Sequence, residues 1–168
     1  SRFNNFRRVW IFGGDDTLWE SNMLYEDIIQ QFLDYLAACI PGICRHRVRQ
    51  KLAQIELEAI GQFGFKVLEQ SLSRAFQEVC AEFHLELPPP RELLDSVQVR
   101  MARERPELLS GAEAVLDSIR RRGDALVLFT QGMLEEQLRK IAHSKLSHFF
   151  DAIGVVERKS KTSLKQLL

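Results

Sequence analysis

Apolar positions along the chain follow two spacings, and the pattern changes twice. Val9–Phe12 ("VWIF") is an unbroken apolar run rich in β-branched and aromatic residues, as in a strand covered on both faces of a parallel sheet. The spacing then becomes helical and stays so to Met101. Leu24, Ile28, Phe32 and Leu36 lie four apart on one helix face, and "IPG" at Ile40–Gly42 stops that helix. A second helix, roughly Arg45 to Ile60, presents Val48, Leu52, Ile55 and Ala59, and "GQFGF" breaks it with two glycines. A third, roughly Lys66 to Phe83, presents Leu68, Leu72, Ala75, Phe76, Val79 and Phe83. After "PPP" at Pro88–Pro90 a fourth carries Leu93, Leu94, Val97 and Met101. Four such amphipathic segments are enough for a helical bundle that covers its own core.

From Ser110 onward the spacing alternates. Gly111–Arg122 reads as a helix stopped by Gly123, "ALVLFT" (Ala125–Thr130) as a buried strand, and Met133–Ser144 as a helix. "AIGVV" (Ala152–Val156) reads as a third strand, and Thr162–Leu168 as the start of another helix. Strands alternating with helices predict a parallel sheet with right-handed crossovers. The expected fold class is therefore α/β, a Rossmann-like parallel core interrupted after its first strand by an all-α insertion. The core is assigned to 1–20 and 105–168, and the insertion to 21–104.

Composition narrows the function classes. At 168 residues the chain suits one domain with an insertion, and 45% hydrophobic with 27% charged residues is ordinary for a globular protein. Lys plus Arg equals Asp plus Glu at 23 each, so no overall field favours nucleic acid or an anionic membrane. The basic run "RHRVRQK" (Arg45–Lys51) reads most simply as a solvated helix face, and Arg120–Arg122 as cations at a helix C-terminus. Cys39, Cys44 and Cys80 lack metal or redox spacing and read as reduced, mostly buried small hydrophobes of a cytoplasmic protein. No run reaches the roughly 18 apolar residues of a spanning helix, and "SRFNNFRRVW" lacks a signal-peptide core. The missing initial methionine suggests a trimmed end.

In an open parallel sheet, ligands bind beyond the carboxyl ends of the strands. The first strand delivers "GGDDT" (Gly13–Thr17), the second delivers Thr130, Gln131 and Gly132, and beyond the third comes "ERKSK" with Lys159 and Lys161. An acidic turn, a hydroxyl followed by glycine, and a lysine form a phosphate-handling set. Hydroxyl and amides hold oxygens, lysine neutralises charge, and carboxylates bind a cation or move protons.

These segments, in this order, resemble the haloacid dehalogenase superfamily, whose first motif is a strand followed by Asp-x-Asp-x-Thr. "GGDDTLW" stands where such a protein usually has "DGDDTLW"; "LVLFTQG" matches the second motif and Lys159 in "VVERKS" the third. The helical insertion matches the family's cap in place and character, and "QFGFKVLEQSLSRA" resembles the mid-cap segment of bacterial phosphatase-like members. The resemblance implies that Asp15 is the general acid and base and that its main-chain carbonyl binds magnesium. It implies further that Thr130 and Gln131 bind phosphate, that Lys159 neutralises it, and that Lys66 touches a phosphorylated small-molecule substrate. Thr17 is expected to brace the turn through side-chain to backbone hydrogen bonds. An acid at position 15 points to phosphate esters, since dehalogenating members do not keep it.

Two departures bear on activity. The family's nucleophilic aspartate falls on Gly13, which has no side chain to attack phosphorus, and Asp16 is expected to point elsewhere. The acidic pair of the fourth motif has no counterpart before Leu168, so the core reads as truncated after its third strand, with magnesium binding weak or absent. In the family a fourth strand lies beside the first, so the edge of Val9–Phe12 is expected to be covered by self-association or a protein partner. Two functions stay open: a phosphatase impaired in this form, or a pseudoenzyme acting as a binding or assembly module.

Overall fold

A computed structural model of the chain describes residues 3–63 and 66–168. They form two compact units, one comprising the chain up to Asn22 together with Arg105–Leu168, the other Met23–Glu104.

The first unit holds three parallel strands in the order β1-β2-β3, with β1 at Val9–Phe12, β2 at Ala125–Gln131 and β3 at Ala152–Val156. Register is set by which side chains share a face. Trp10 lies beside Leu126 and Phe12 beside Leu128; Val9 lies beside Ala125 and Ile11 beside Val127. One face packs on Leu116 and Ile119 of α5 (Ala112–Arg121) and Ile141 of α6 (Leu134–Ser144). The other packs on Phe3, Phe6 and the end of α7 (Lys161–Leu167). There Leu167 comes so close to Gly154 that a Cβ at that position would meet it at 2.6 Å. Helix α7 begins with a reciprocal cap in which the Ser160 and Ser163 side chains each accept the other's backbone N–H at 3.0 Å.

The expectation that Val9–Phe12 is covered on both faces is corrected: Trp10 is 38% exposed and Ile11 43%. The continuous burial belongs to β2, in which only Gln131 escapes full burial; among the described residues β2 has a strand on either side and β1 on one side.

The second unit packs α1 (Asn22–Cys39), α2 (Arg45–Phe63), α3 (Leu68–Phe83) and α4 (Arg91–Arg103) around Ile28, Phe32, Leu36, Leu52, Leu72, Ala75, Val79 and Val97. Helix α2 runs through Gly61, since one interior glycine costs only about 1 kcal/mol. Gly64 and Phe65, the rest of the expected break, lie outside the described residues. Phe83 was expected on the inner face but is exposed, being the last residue of α3. The basic run is neutralised within the unit: Arg45 pairs with Asp34, Arg47 with Glu82, Arg49 with Glu26, and Lys51 with Glu78 and Glu82. The cysteines are free, yet none is fully buried, and Cys44 is exposed because it precedes α2 in a solvated turn. Buried Glu56 accepts a hydrogen bond from Tyr25, whose hydroxyl is pushed up by burial first and by Glu56 second. No helix among the described residues is long and apolar enough to cross a membrane.

Candidate active site

The site is built on the turn that follows β1. The carbonyl of Gly14 accepts from the backbone N–H of Thr17 at 3.2 Å and of Leu18 at 2.9 Å, and Trp19 O accepts from Asp16 N at 2.8 Å. The chain returning at Glu107–Leu109 pairs with this turn, with Glu20 N donating to Glu107 O and Leu109 N to Leu18 O. Trp19 is fully buried, and its indole lies over Gly14 so closely that a Cβ there would be 2.4 Å from the ring. Gly14 is thus required by packing. Gly13 is not, for a Cβ there would meet Thr17 Oγ1 at 3.3 Å and Lys159 Nζ at 3.7 Å, and its backbone is ordinary for an L-residue.

Asp15 is held by four donors. Its Oδ1 accepts from the Trp19 indole (2.9 Å), Ser21 Oγ (2.8 Å) and Lys140 Nζ (3.1 Å), and its Oδ2 from Gln137 Nε2 (2.9 Å). Burial pushes the carboxyl up, but the Lys140 ammonium and the side-chain donors outweigh it and hold Asp15 below the usual carboxylate range. Lys140 is almost completely buried and pairs with Glu136 at 3.0 Å as well. Burial pulls its ammonium down, and the two carboxylates more than reverse that.

Thr130, buried on β2, donates to Gln137 Oε1 at 2.9 Å, so its hydroxyl connects to Asp15 through one amide. Gln131 accepts the backbone N–H of Lys159 at 2.9 Å, fixing the loop after β3. The Lys159 ammonium lies 5.7 Å from the centre of the Phe129 ring and extends toward Gly13. Thr17 donates to the Asp15 carbonyl at a long 3.5 Å. Asp16, with φ of 55°, is exposed and accepts the Ser21 N–H instead of facing Gly13.

Gly13, Asp15, Thr130, Gln131 and Lys159 therefore gather at one end of the sheet. Lys66 belongs to the helical unit, where its ammonium lies 4.6 Å above the Tyr25 ring. Sequence reasoning missed Gln137 and Lys140. Their signal is spacing, since Gln137, Lys140, Ile141 and Ser144 form the buried stripe of α6, which puts an amide and an ammonium on a face where apolar residues are the rule.

Among the described residues no three His, Cys, Asp or Glu side chains gather as a metal-binding group. The Asp15 carboxylate carries an ammonium and three neutral donors, and Gly13 contributes no side-chain oxygen. A hard cation needs several oxygen ligands, so this donor set does not fit magnesium, and no step is derived through it.

An open parallel sheet with its polar cluster at the strand ends and a helical insertion after the first strand defines a Rossmann-like α/β protein. No family model matches the sequence, and no curated protein matches it. Solved structures do. A haloacid dehalogenase-like family hydrolase from Xanthomonas campestris is 24% identical with a TM-score of 0.74, over 96% of this chain and 66% of that one. A haloacid dehalogenase-like hydrolase from Burkholderia xenovorans LB400 is 18% identical with a TM-score of 0.59, over 94% and 64%. A HAD-hydrolase from Bacillus subtilis, in a form bound to magnesium, is 18% identical with a TM-score of 0.51, over 88% and 64%. The fold is that of the haloacid dehalogenase-like hydrolases, and the chain spans about two thirds of the length of these structures.

Proposed function

We propose that the chain is a phosphatase-lineage member of this fold whose present form binds a small phosphorylated ligand without turning it over. One observation carries the reading. Lys159 Nζ and Thr17 Oγ1 converge on the side-chain direction of Gly13, where no carboxylate stands, while the acid two residues on is fully assembled. An ammonium and a hydroxyl beside a position that carries no side-chain carboxylate favour an incoming oxyanion. Lys159 neutralises it, Gln131 fixes the backbone that carries Lys159, and Thr130 with Gln137 orients Asp15. Asp15 itself, retained and ionised, supports the phosphate-ester branch of the fold.

Turnover fails for want of a nucleophile. No side chain at position 13 can take the phosphoryl group, so no covalent intermediate forms.

Calorimetric titration with inorganic phosphate, beside a p-nitrophenyl phosphate assay, tests this. Phosphate is expected to bind, Lys159→Met to weaken it by about tenfold, or ~1.4 kcal/mol, and ester hydrolysis to stay at background. Hydrolysis above background, or no phosphate binding, overturns the reading.

A further inference from the structure

Helix α6 turns polar residues inward. Gln137 and Lys140 share its buried stripe with Ile141 and Ser144, and Lys140 is 4% exposed. An ammonium on an inner face is costly to desolvate, and an apolar residue of similar volume fills such a place without that cost. Packing therefore does not account for Lys140, and its contacts show what does. Its Nζ donates to Asp15 Oδ1 at 3.1 Å and to Ser21 Oγ at 2.8 Å, while Ser21 Oγ donates to the same carboxylate oxygen at 2.8 Å. Glu136 lies 3.0 Å from the ammonium as well. The cation is thus committed to carboxylates, and one of them stands in the turn that carries Gly13.

Asp15 and Asp16 follow Gly13 closely in that turn, so an oxyanion beside Gly13 meets their negative charge together with the Lys159 ammonium. Asp16 is exposed, and water and salt screen it. Asp15 is partly buried and less screened, so its carboxylate, left uncompensated, would oppose a second anion at this end of the sheet. We infer that Lys140 is the counter-ion that opens the Gly13 position to an oxyanion: it neutralises Asp15, fixes that carboxylate on α6, and acts on the ligand through it. Lys140 is then a positioning residue that sets which charge the site accepts, and Lys159 supplies the direct attraction. The inference rests on the reading that phosphate binds beside Gly13.

Calorimetric titration of inorganic phosphate into the full chain and two variants, without added metal, tests it. Lys140→Met should weaken phosphate binding by about fivefold, the effect of one uncompensated charge several ångströms from the anion. Lys140→Met combined with Asp15→Asn, which removes the charge that Lys140 offsets, should return the affinity to within about twofold of the parent chain. Circular dichroism checks that the variants fold. Should Lys140→Met not fold, Lys140→Gln, which keeps a donor without the charge, takes its place with the same expected loss and the same recovery. A purely structural role for Lys140 leaves the double variant as weak as the single one, and that result overturns the inference. Phosphate that binds the parent chain and Lys140→Met equally overturns the inference alone. A parent chain that binds no phosphate overturns the proposed function, and the inference with it.

Discussion

Gly13 and Gly14 are neighbours of the same residue type, and opposite reasons explain them. Gly14 is under the Trp19 ring, where a Cβ would fall 2.4 Å from carbon, so the turn cannot keep its shape with any other residue. Gly13 has ordinary backbone and room for a Cβ, and the groups around that direction are a lysine and a threonine. One glycine is a requirement of packing, and the other is a chemical choice made on a scaffold that would take a side chain. The contrast separates packing from chemistry: the turn, Asp15 and its donors are assembled, and position 13, where the resemblance puts a carboxylate, has room for one.

Four substitutions break or sharpen that contrast, in falling order of effect. Gly14→Ala drives a methyl into a fully buried indole and should destabilise the first unit by about 3 kcal/mol, read as a large drop in melting temperature. Lys140→Met leaves Asp15 and Glu136 without their shared cation, and the expected loss is roughly 2 kcal/mol, below the value for a fully buried pair because Asp15 is partly solvated. Chemical denaturation measures it. Asp15→Asn acts through pH. The folded carboxyl titrates below its unfolded value, so its contribution is complete above the usual carboxylate range and is lost as pH falls through the lowered folded value. The wild-type chain should therefore lose stability between neutral pH and about pH 3 more steeply than Asp15→Asn, and parallel acid limbs would show that Asp15 is not held as described. Gly13→Ala should change stability by less than about 0.5 kcal/mol, since only the Thr17 hydroxyl has to give way. A loss as large as that of Gly14→Ala would end the distinction between the two glycines.

Much of this arrangement was legible in the chain itself. β2 could be read because an unbroken apolar run suits a strand with a neighbour on each side, and helix faces could be read because Ile28, Phe32 and Leu36 repeat at a helical period. The convergence of Gly13, Asp15, Thr130 and Lys159 followed from parallel topology alone, which brings every strand end to one side. What was not legible depends on contact through space. That Trp19 donates to Asp15 is set by how the turn folds back on Gly14. That the Thr130 hydroxyl is committed to Gln137 depends on how α6 lies against β2. Lys140 had a visible position on the inner stripe of α6, but an ammonium reads as surface until the carboxylates that bury it are known. Exposure of Trp10 and Ile11 did not follow from the apolar run itself, which reads as covered on both faces; it was the resemblance that placed Val9–Phe12 at an edge, as the strand order of the described residues does.

The most direct test of the missing carboxylate is inorganic phosphate titrated calorimetrically into the chain and into Gly13→Asp, without added metal. A carboxylate at position 13 would pair with Lys159 and fill the oxyanion's place, so phosphate should bind the chain as it stands and bind Gly13→Asp at least tenfold more weakly, about 1.4 kcal/mol. Equal affinity in the two proteins would contradict the account, because it would put the anion somewhere other than beside Gly13.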